Sequence, residues 1–128
     1  MTVAVERTLE IADSYLAAWN AHDPEAVASF FAPNGRIYVN GSVSAGRIEI
    51  AAMARSFLDA IPDMSIRSDL TRSTGTHLIL PWTFSGTSST NGNRVTVSGW
   101  EYWQLNDRGL VVESRGHFDE ADYQKQMG

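Results

Sequence analysis

Arg94-Val95-Thr96-Val97-Ser98-Gly99-Trp100-Glu101-Tyr102-Trp103-Gln104-Leu105 is the stretch that decides what kind of domain this chain forms. It is rich in β-branched and aromatic residues and contains no proline, so it suits a strand. Side chains alternate across a strand, so Glu101, Trp103 and Leu105 share one face and Trp100, Tyr102 and Gln104 the other. Upstream, His77 to Thr87 alternates in the same way: Leu78, Leu80, Trp82 and Phe84 oppose Ile79, Pro81, Thr83 and Ser85. The second set mixes a proline with hydroxyls and is assigned outward. Asn91-Gly92 marks the hairpin between the two strands, because both residues tolerate positive φ. Downstream, Asn106-Asp107-Arg108-Gly109 marks another turn, and Leu110 to Phe118 is the next strand. Its uncharged set, Val112, Ser114, Gly116 and Phe118, is assigned inward against Val111, Glu113, Arg115 and His117, with the proviso that a bulge flips the pattern locally. Met64 to Arg72 is a further strand candidate. Strands joined by short loops pair antiparallel.

The first half reads as helix. Leu9, Ala12, Leu16 and Trp19 recur at three- and four-residue steps from Glu6 to Asn20. Asp23 then suits an N-cap and Pro24 the first position of a second helix, about Pro24 to Phe31. Ala32-Pro33-Asn34-Gly35 closes that helix, Arg36 to Asn40 is a short strand, and Gly41-Ser42 turns it. A third helix, about Arg47 to Ala60, carries Ile50, Met53, Ala54, Phe57 and Leu58 on one face and stops before Pro62. The ending 120–128 is compatible with a short helix or a frayed end. Helices followed by a meander predict α+β. The expected architecture is a strongly curved antiparallel sheet with three N-terminal-half helices on its concave face, forming a conical pocket within a single domain, 1–128.

Bulk composition narrows the function classes. The chain has 128 residues, 43% of them apolar and 20% charged, with a net charge of −5 and scattered basic residues. That is enough for one hydrophobic core, and it gives no general attraction to nucleic acid or anionic membranes. With no cysteine, disulfides, thiolate nucleophiles and cysteine metal sites are excluded. Met1 to Arg7 shows no basic region leading into an apolar one, and no run approaches the ~18 apolar residues of a membrane span. The cytoplasm is the expected compartment.

Glu101 is the residue with chemical promise. If Trp103 and Leu105 are core, its carboxylate projects into the same enclosed space, loses hydration and gains proton affinity. That suits a general acid or base near neutrality; a rim glutamate reaching water is the bland alternative. Tyr15 and Trp19 sit one turn apart, placed either for core packing or to line the pocket. Asn40 precedes Gly41 and suits a turn; it lines the pocket together with Tyr38 only if their common face is inward. His117 and Asp119 are spaced for a His–carboxylate pair, but alternation turns His117 outward. His22, His77 and His117 lack metal-ligand spacing, so no metal is expected, and no cofactor. Trp100 and Tyr102 on the convex side suggest a covered face.

Several segments together resemble the SnoaL-like polyketide cyclases of the nuclear-transport-factor-2-like superfamily. Tyr15-Leu16-Ala17-Ala18-Trp19-Asn20-Ala21-His22-Asp23-Pro24-Glu25-Ala26 is similar to the family's opening helix and loop. Phe30-Phe31-Ala32-Pro33-Asn34-Gly35 resembles the end of its second helix. Gly46 with the helix to Phe57 and Ile61-Pro62-Asp63, then Trp82-Thr83-Phe84-Ser85-Gly86-Thr87, resemble its later motifs, and Phe118-Asp119 through Gln126-Met127-Gly128 its tail. The resemblance implies a homodimer through the convex face and a small hydrophobic, polyketide- or terpenoid-like ligand. It also implies proton-transfer chemistry: cyclisation, isomerisation or dehydration. Glu101 would act as acid–base group, with Asn40 and Tyr15 hydrogen-bonding a carbonyl or enolate oxygen. Trp19, Tyr38, Met53, Phe57, Trp82 and Trp103 would bind the substrate. The chain departs from the family's catalytic patterns. Glu101 and Gly116 stand where SnoaL-type cyclases carry His and Asp. Trp82 and Phe84 replace the Arg–Asp pair of limonene-epoxide-hydrolase relatives, and Tyr38, Val39 and Asn40 hold no counterpart of the ketosteroid-isomerase carboxylate. A non-catalytic small-molecule binder and a protein-interaction module therefore stand as alternatives.

Overall fold

The computed structural model describes residues 4–68 and 70–128. Residues 1–3, on which part of the leader reading rests, and residue 69, within the expected strand Met64–Arg72, lie outside the described residues. Helix α1 spans Val5–Asn20 and turns Ile11, Ala12, Tyr15, Leu16 and Trp19 into the core. Helix α2 spans Pro24–Ser29; the Asp23 carboxylate accepts the Ala26 N–H at 3.1 Å and Pro24 opens the helix, as the sequence pattern requires. The helix ends before Phe31, which is instead the fully buried first residue of β1, Phe31–Val39. A bulge follows it, between Phe31 and Arg36. Gly35 lies there because a Cβ would come within 2.8 Å of the Val111 carbonyl oxygen. Asn40 and Gly41, both at positive φ, turn the chain into β2, Ser42–Ala45. Helix α3 covers Gly46–Ala60.

The second half supplies β3 (Ser65–Arg67), β4 (Arg72–Ser73), β5 (His77–Thr87), β6 (Arg94–Leu105) and β7 (Val111–Phe118), then helix α4, Glu120–Met127. The expected strand Met64–Arg72 is thus two short pieces, β3 and β4, both paired with β5.

The sheet has seven strands in the order β2-β1-β7-β6-β5-β3, with β4 beside β5. It is mixed, which corrects the expected all-antiparallel sheet: β1 and β7 run parallel, Ile37 opposite Ser114 and Val39 opposite Gly116. The physical reason is the length of chain between them; α3 and the whole meander intervene, so no tight turn dictates direction. The other pairs are antiparallel, and β5–β6 runs unbroken from His77↔Gln104 to Thr87↔Arg94. At the start of β7 the register shifts between Gln104 and Leu105. Val111 is therefore fully buried and Val112 is not, reversing the expected pair, whereas Ser114 and Phe118 are buried as expected.

The helices share one face of this sheet. Tyr15 of α1 meets Trp103 edge to face, with ring centres 4.9 Å apart. Phe57 of α3 meets Phe118, and Tyr123 of α4 meets both Phe84 and Phe118. Burying these rings removes several hundred Å² of apolar surface from water and is the main force holding the helices on the sheet. A fourth helix thus joins the three expected from the first half. It is tied down by the Gln126 side chain, which accepts from the Thr96 N–H and donates to the Thr96 carbonyl.

Candidate functional site

Between α1, α3 and the sheet lies a cavity of about 50 Å³. Its walls are Trp19 from α1, Met53 and Phe57 from α3, Ile66 from β3, Trp82 and Phe84 from β5, and Phe118 from β7. Glu101 and Gly116 complete it where β6 and β7 pair; the two residues are in direct register. An outer groove of about 200 Å³ lies between β2, α3 and α4. Val39, Met53, Phe57 and Phe118 border both spaces. Met53 and Phe57 are only partly buried.

The carboxylate of Glu101 is 7% exposed. Its Oε1 accepts the Ser114 hydroxyl at 2.9 Å, the Trp103 indole N–H at 3.1 Å and the Tyr15 hydroxyl at 3.1 Å. Among the described residues its Oε2 has only that same Tyr15 hydroxyl, at 3.2 Å, whose one proton the two oxygens share. Burial pushes the carboxyl above its ordinary value, and the bonds from Trp103, Ser114 and Tyr15 oppose that push without cancelling it. Oε1 holds two donors of its own and Oε2 none, so a proton arriving at this carboxyl belongs on Oε2. Tyr15 itself is held well above the ordinary phenol range by burial, then by the charge of Glu101, with a hydrogen-bonding interaction from the Trp19 indole opposing. It therefore stays a neutral donor at any physiological pH.

The expected site residues separate into three places. Glu101, Trp19, Met53, Phe57 and Trp82 border the cavity. Tyr15 and Trp103 do not; both are fully buried behind Glu101 and hold its carboxylate. Tyr15 is thus a positioning residue and has no free hydroxyl for a ligand carbonyl. Tyr38 and Asn40 lie elsewhere. Strand alternation sends Ile37 and Val39 inward and Tyr38 to the outer face, where the Arg115 guanidinium sits 4.3 Å from the Tyr38 ring centre. Asn40 occupies the β1–β2 turn; its Oδ1 accepts the Phe118 N–H and its amide donates to Glu120, so it ties the turn to the start of α4.

His117 borders the cavity by position, but its ring lies on the outer face 6.0 Å from that of Trp100. Asp119 caps α4 by accepting the Asp122 N–H. Among the described residues no group of three or more His, Asp or Glu is placed to hold a metal ion, and no helix is long and apolar enough to cross a membrane. Ser114 was not among the expected site residues. Its one sequence signal was a hydroxyl at an inward position of an apolar strand face, and only the register, Ser114 opposite Trp103, shows that it reaches Glu101.

The fold is shared with solved proteins of low sequence identity. A Xanthomonas campestris pv. campestris protein, provisionally named a polyketide cyclase, superposes with a TM-score of 0.86 at 18% identity, over 96% of this chain and 98% of that one. The epoxide hydrolase/cyclase-like SalBIII, which acts in pyran ring formation in the polyether salinomycin, gives 0.80 at 20% identity over 91% and 94%. TerC, crystallised with polyporic acid, gives 0.81 at 16% identity over 94% and 97%. No curated protein matches the chain significantly. Identities this low carry the fold alone. The SnoaL-like domain model matches residues 12–114, from the middle of α1 to the Glu101-bound Ser114. On that match, the chain belongs to the SnoaL-like domain family.

Proposed function

We propose that this chain is a small-molecule enzyme that uses Glu101 for proton transfer on an apolar, oxygen-bearing ligand of polyketide or terpenoid type. In this reading the strands curve around the helices to make a conical pocket with Glu101 on its wall. The supporting observation is the asymmetry of the carboxylate: Oε1 holds the Ser114 and Trp103 donors, the single Tyr15 hydroxyl is shared between Oε1 and Oε2, and Glu101 lines a space walled mainly by apolar side chains. Such an acid is kept in one orientation and has a raised proton affinity, the two properties general acid–base catalysis asks for. Ionised Oε2 removes a proton from a carbon next to a carbonyl, and protonated Oε2 returns it. Returned to a different carbon, the proton completes an isomerisation. If the enolate first attacks a second carbonyl, a C–C bond forms and the proton goes to the new alkoxide, giving a ring. Neither route needs a co-reactant.

Proteins of related fold described as cyclases or cyclase-like, and one crystallised with polyporic acid, support a small-molecule ligand. A homodimer through the outer face and a cytoplasmic location belong to the same proposal. Trp100 and Tyr102, 45% and 40% exposed on that face, are the aromatics a partner would cover.

Binding without catalysis is the second reading, favoured by Gly116 directly opposite Glu101, which leaves the carboxylate without an ionisable partner side chain across the strand pair. Carboxyl NMR titration, with Glu101→Gln to assign the signal, tests the first. An apparent pKa above the ordinary 4.5 is expected. A value at or below it removes the acid–base reading and leaves the binder. Once a substrate is found, Glu101→Gln that retains full turnover also sinks the enzyme reading.

A further inference from the structure

The four tryptophans are used in different ways. Trp103 donates its indole N–H to Glu101, and Trp100 lies on the outer face. Trp19 and Trp82 both line the cavity. Their indole nitrogens are buried without a well-formed hydrogen bond among the described residues, but that of Trp19 interacts with the Tyr15 hydroxyl. Buried donors are almost always paired, so the orphan on Trp82 needs an explanation. Trp82 is held in place. It lies across Gly99, its direct partner on β6, where a Cβ would come within 2.7 Å of Cη2 and 2.8 Å of Cζ2. Phe84 stacks on it with centres 5.5 Å apart, and Phe118 closes at 6.1 Å.

Gly99 and Glu101 are two residues apart on the same face of β6, roughly 7 Å along the strand. Trp82, which carries the orphan donor, and Glu101 therefore line one cavity, within the reach of a single small molecule. We propose that the Trp82 indole N–H binds a carbonyl oxygen of the ligand and so sets the carbon beside that carbonyl against Glu101. This rests on the pocket reading above. It also reassigns the oxygen-holding role, since Tyr15 and Asn40 are occupied by Glu101, Phe118 and Glu120. In the free protein the same donor can hold water, which a carbonyl oxygen replaces like for like.

The test uses a matched pair of probes: acetophenone, and α-methylstyrene, in which a methylene replaces the carbonyl oxygen. Binding is followed by indole ¹H–¹⁵N and methionine methyl NMR, with Trp100 and Trp103 as internal controls. Acetophenone should move the Trp82 indole proton downfield and leave the controls in place, and α-methylstyrene should move the Met53 methyl without that downfield shift. In Trp82→Phe, acetophenone should weaken roughly 3- to 10-fold while α-methylstyrene is unchanged, the loss expected for one hydrogen bond. Comparing each probe with itself across the two proteins removes their different partition into hydrocarbon. If both probes shift the Met53 methyl but acetophenone leaves the Trp82 indole proton unmoved, the carbonyl assignment falls and the pocket stands. If Trp82→Phe weakens both probes equally, the assignment also falls. If neither probe shifts the Met53 methyl, the pocket reading falls with it. Should Trp82→Phe fold poorly, the wild-type indole shift alone decides.

Discussion

The two sides of the cavity are built on different rules. Behind Glu101, every buried polar side chain is matched: Tyr15, Trp103 and Ser114 converge on one carboxylate, and Tyr15 and Trp103 pack edge to face. Elsewhere on the wall, Trp82 keeps a buried indole donor without a partner among the described residues, and Met53 and Phe57 are partly exposed between cavity and outer groove. A fully satisfied polar network fixes the position of its members, whereas an unsatisfied one leaves hydrogen-bonding capacity for whatever enters. The chain thus holds its acid rigidly and leaves this donor open, and stability and ligand binding should map to different sides.

The largest effect separates the two sides by stability. Trp103→Ala removes a fully buried ring and the Glu101 bond, so a loss of about 3–5 kcal/mol is expected. Met53→Ala, on the accessible side, should lose less than about 2 kcal/mol. Urea unfolding of both measures this, and an inverted order breaks the comparison.

Next comes Ser114→Ala, which deletes one donor from a buried carboxylate. About 1–3 kcal/mol should be lost at neutral pH, and the Glu101 titration should move further up, because a bond favouring the ionised form is gone. Less is lost in acid, where the carboxyl is neutral. An unchanged titration would mean that Ser114 does not act on Glu101.

Glu101→Gln tests the network by its pH profile. Glu101 binds its proton more tightly folded than unfolded. Between the ordinary and the raised pKa the native state carries the extra proton, so the Glu101 contribution falls as pH rises through that window. The wild type should lose stability across the window, and the glutamine variant should show a shallower slope and at least equal stability on its alkaline side. Parallel profiles would place Glu101 in a solvated setting. The smallest effect belongs to the outer face: Trp100→Ala should change monomer stability by less than about 0.5 kcal/mol. Sedimentation of the same variant then asks whether that face holds a second copy; identical sedimentation of wild type and variant removes the dimer proposal.

Much of this was legible in the residues. Period-two alternation put Glu101, Trp103 and Leu105 on one buried face, and Trp100 and Tyr102 on the exposed one. Asp23-Pro24 marked the start of α2, and β5 and β6 ran between the residues expected. Local chemistry carries such signals, since caps and alternating patterns act over a few residues. Phe31 was misplaced into the second helix because an aromatic beside Val27 and Phe30 satisfies a helical spacing as well as a strand. Tyr38 and Asn40 could be placed only by knowing which face of β1 turns inward, and β1 is oriented by β7, on the far side of the meander.

By itself the sequence determined the α+β class, the hairpins, the single acid on an apolar face and the absence of thiol chemistry, because each follows from residue type and short-range spacing. Only the tertiary structure decided that β1 pairs parallel to β7 and that Tyr15, Trp103 and Ser114 meet on Glu101. It alone decided that Asn40 ties a turn to α4 and that a cavity-lining tryptophan, Trp82, keeps a buried indole donor without a partner among the described residues. Those are encounters between residues far apart along the chain. Their outcome depends on strand register, on a bulge at the start of β7 and on how large side chains fill the remaining volume, and none of these is written in any local pattern.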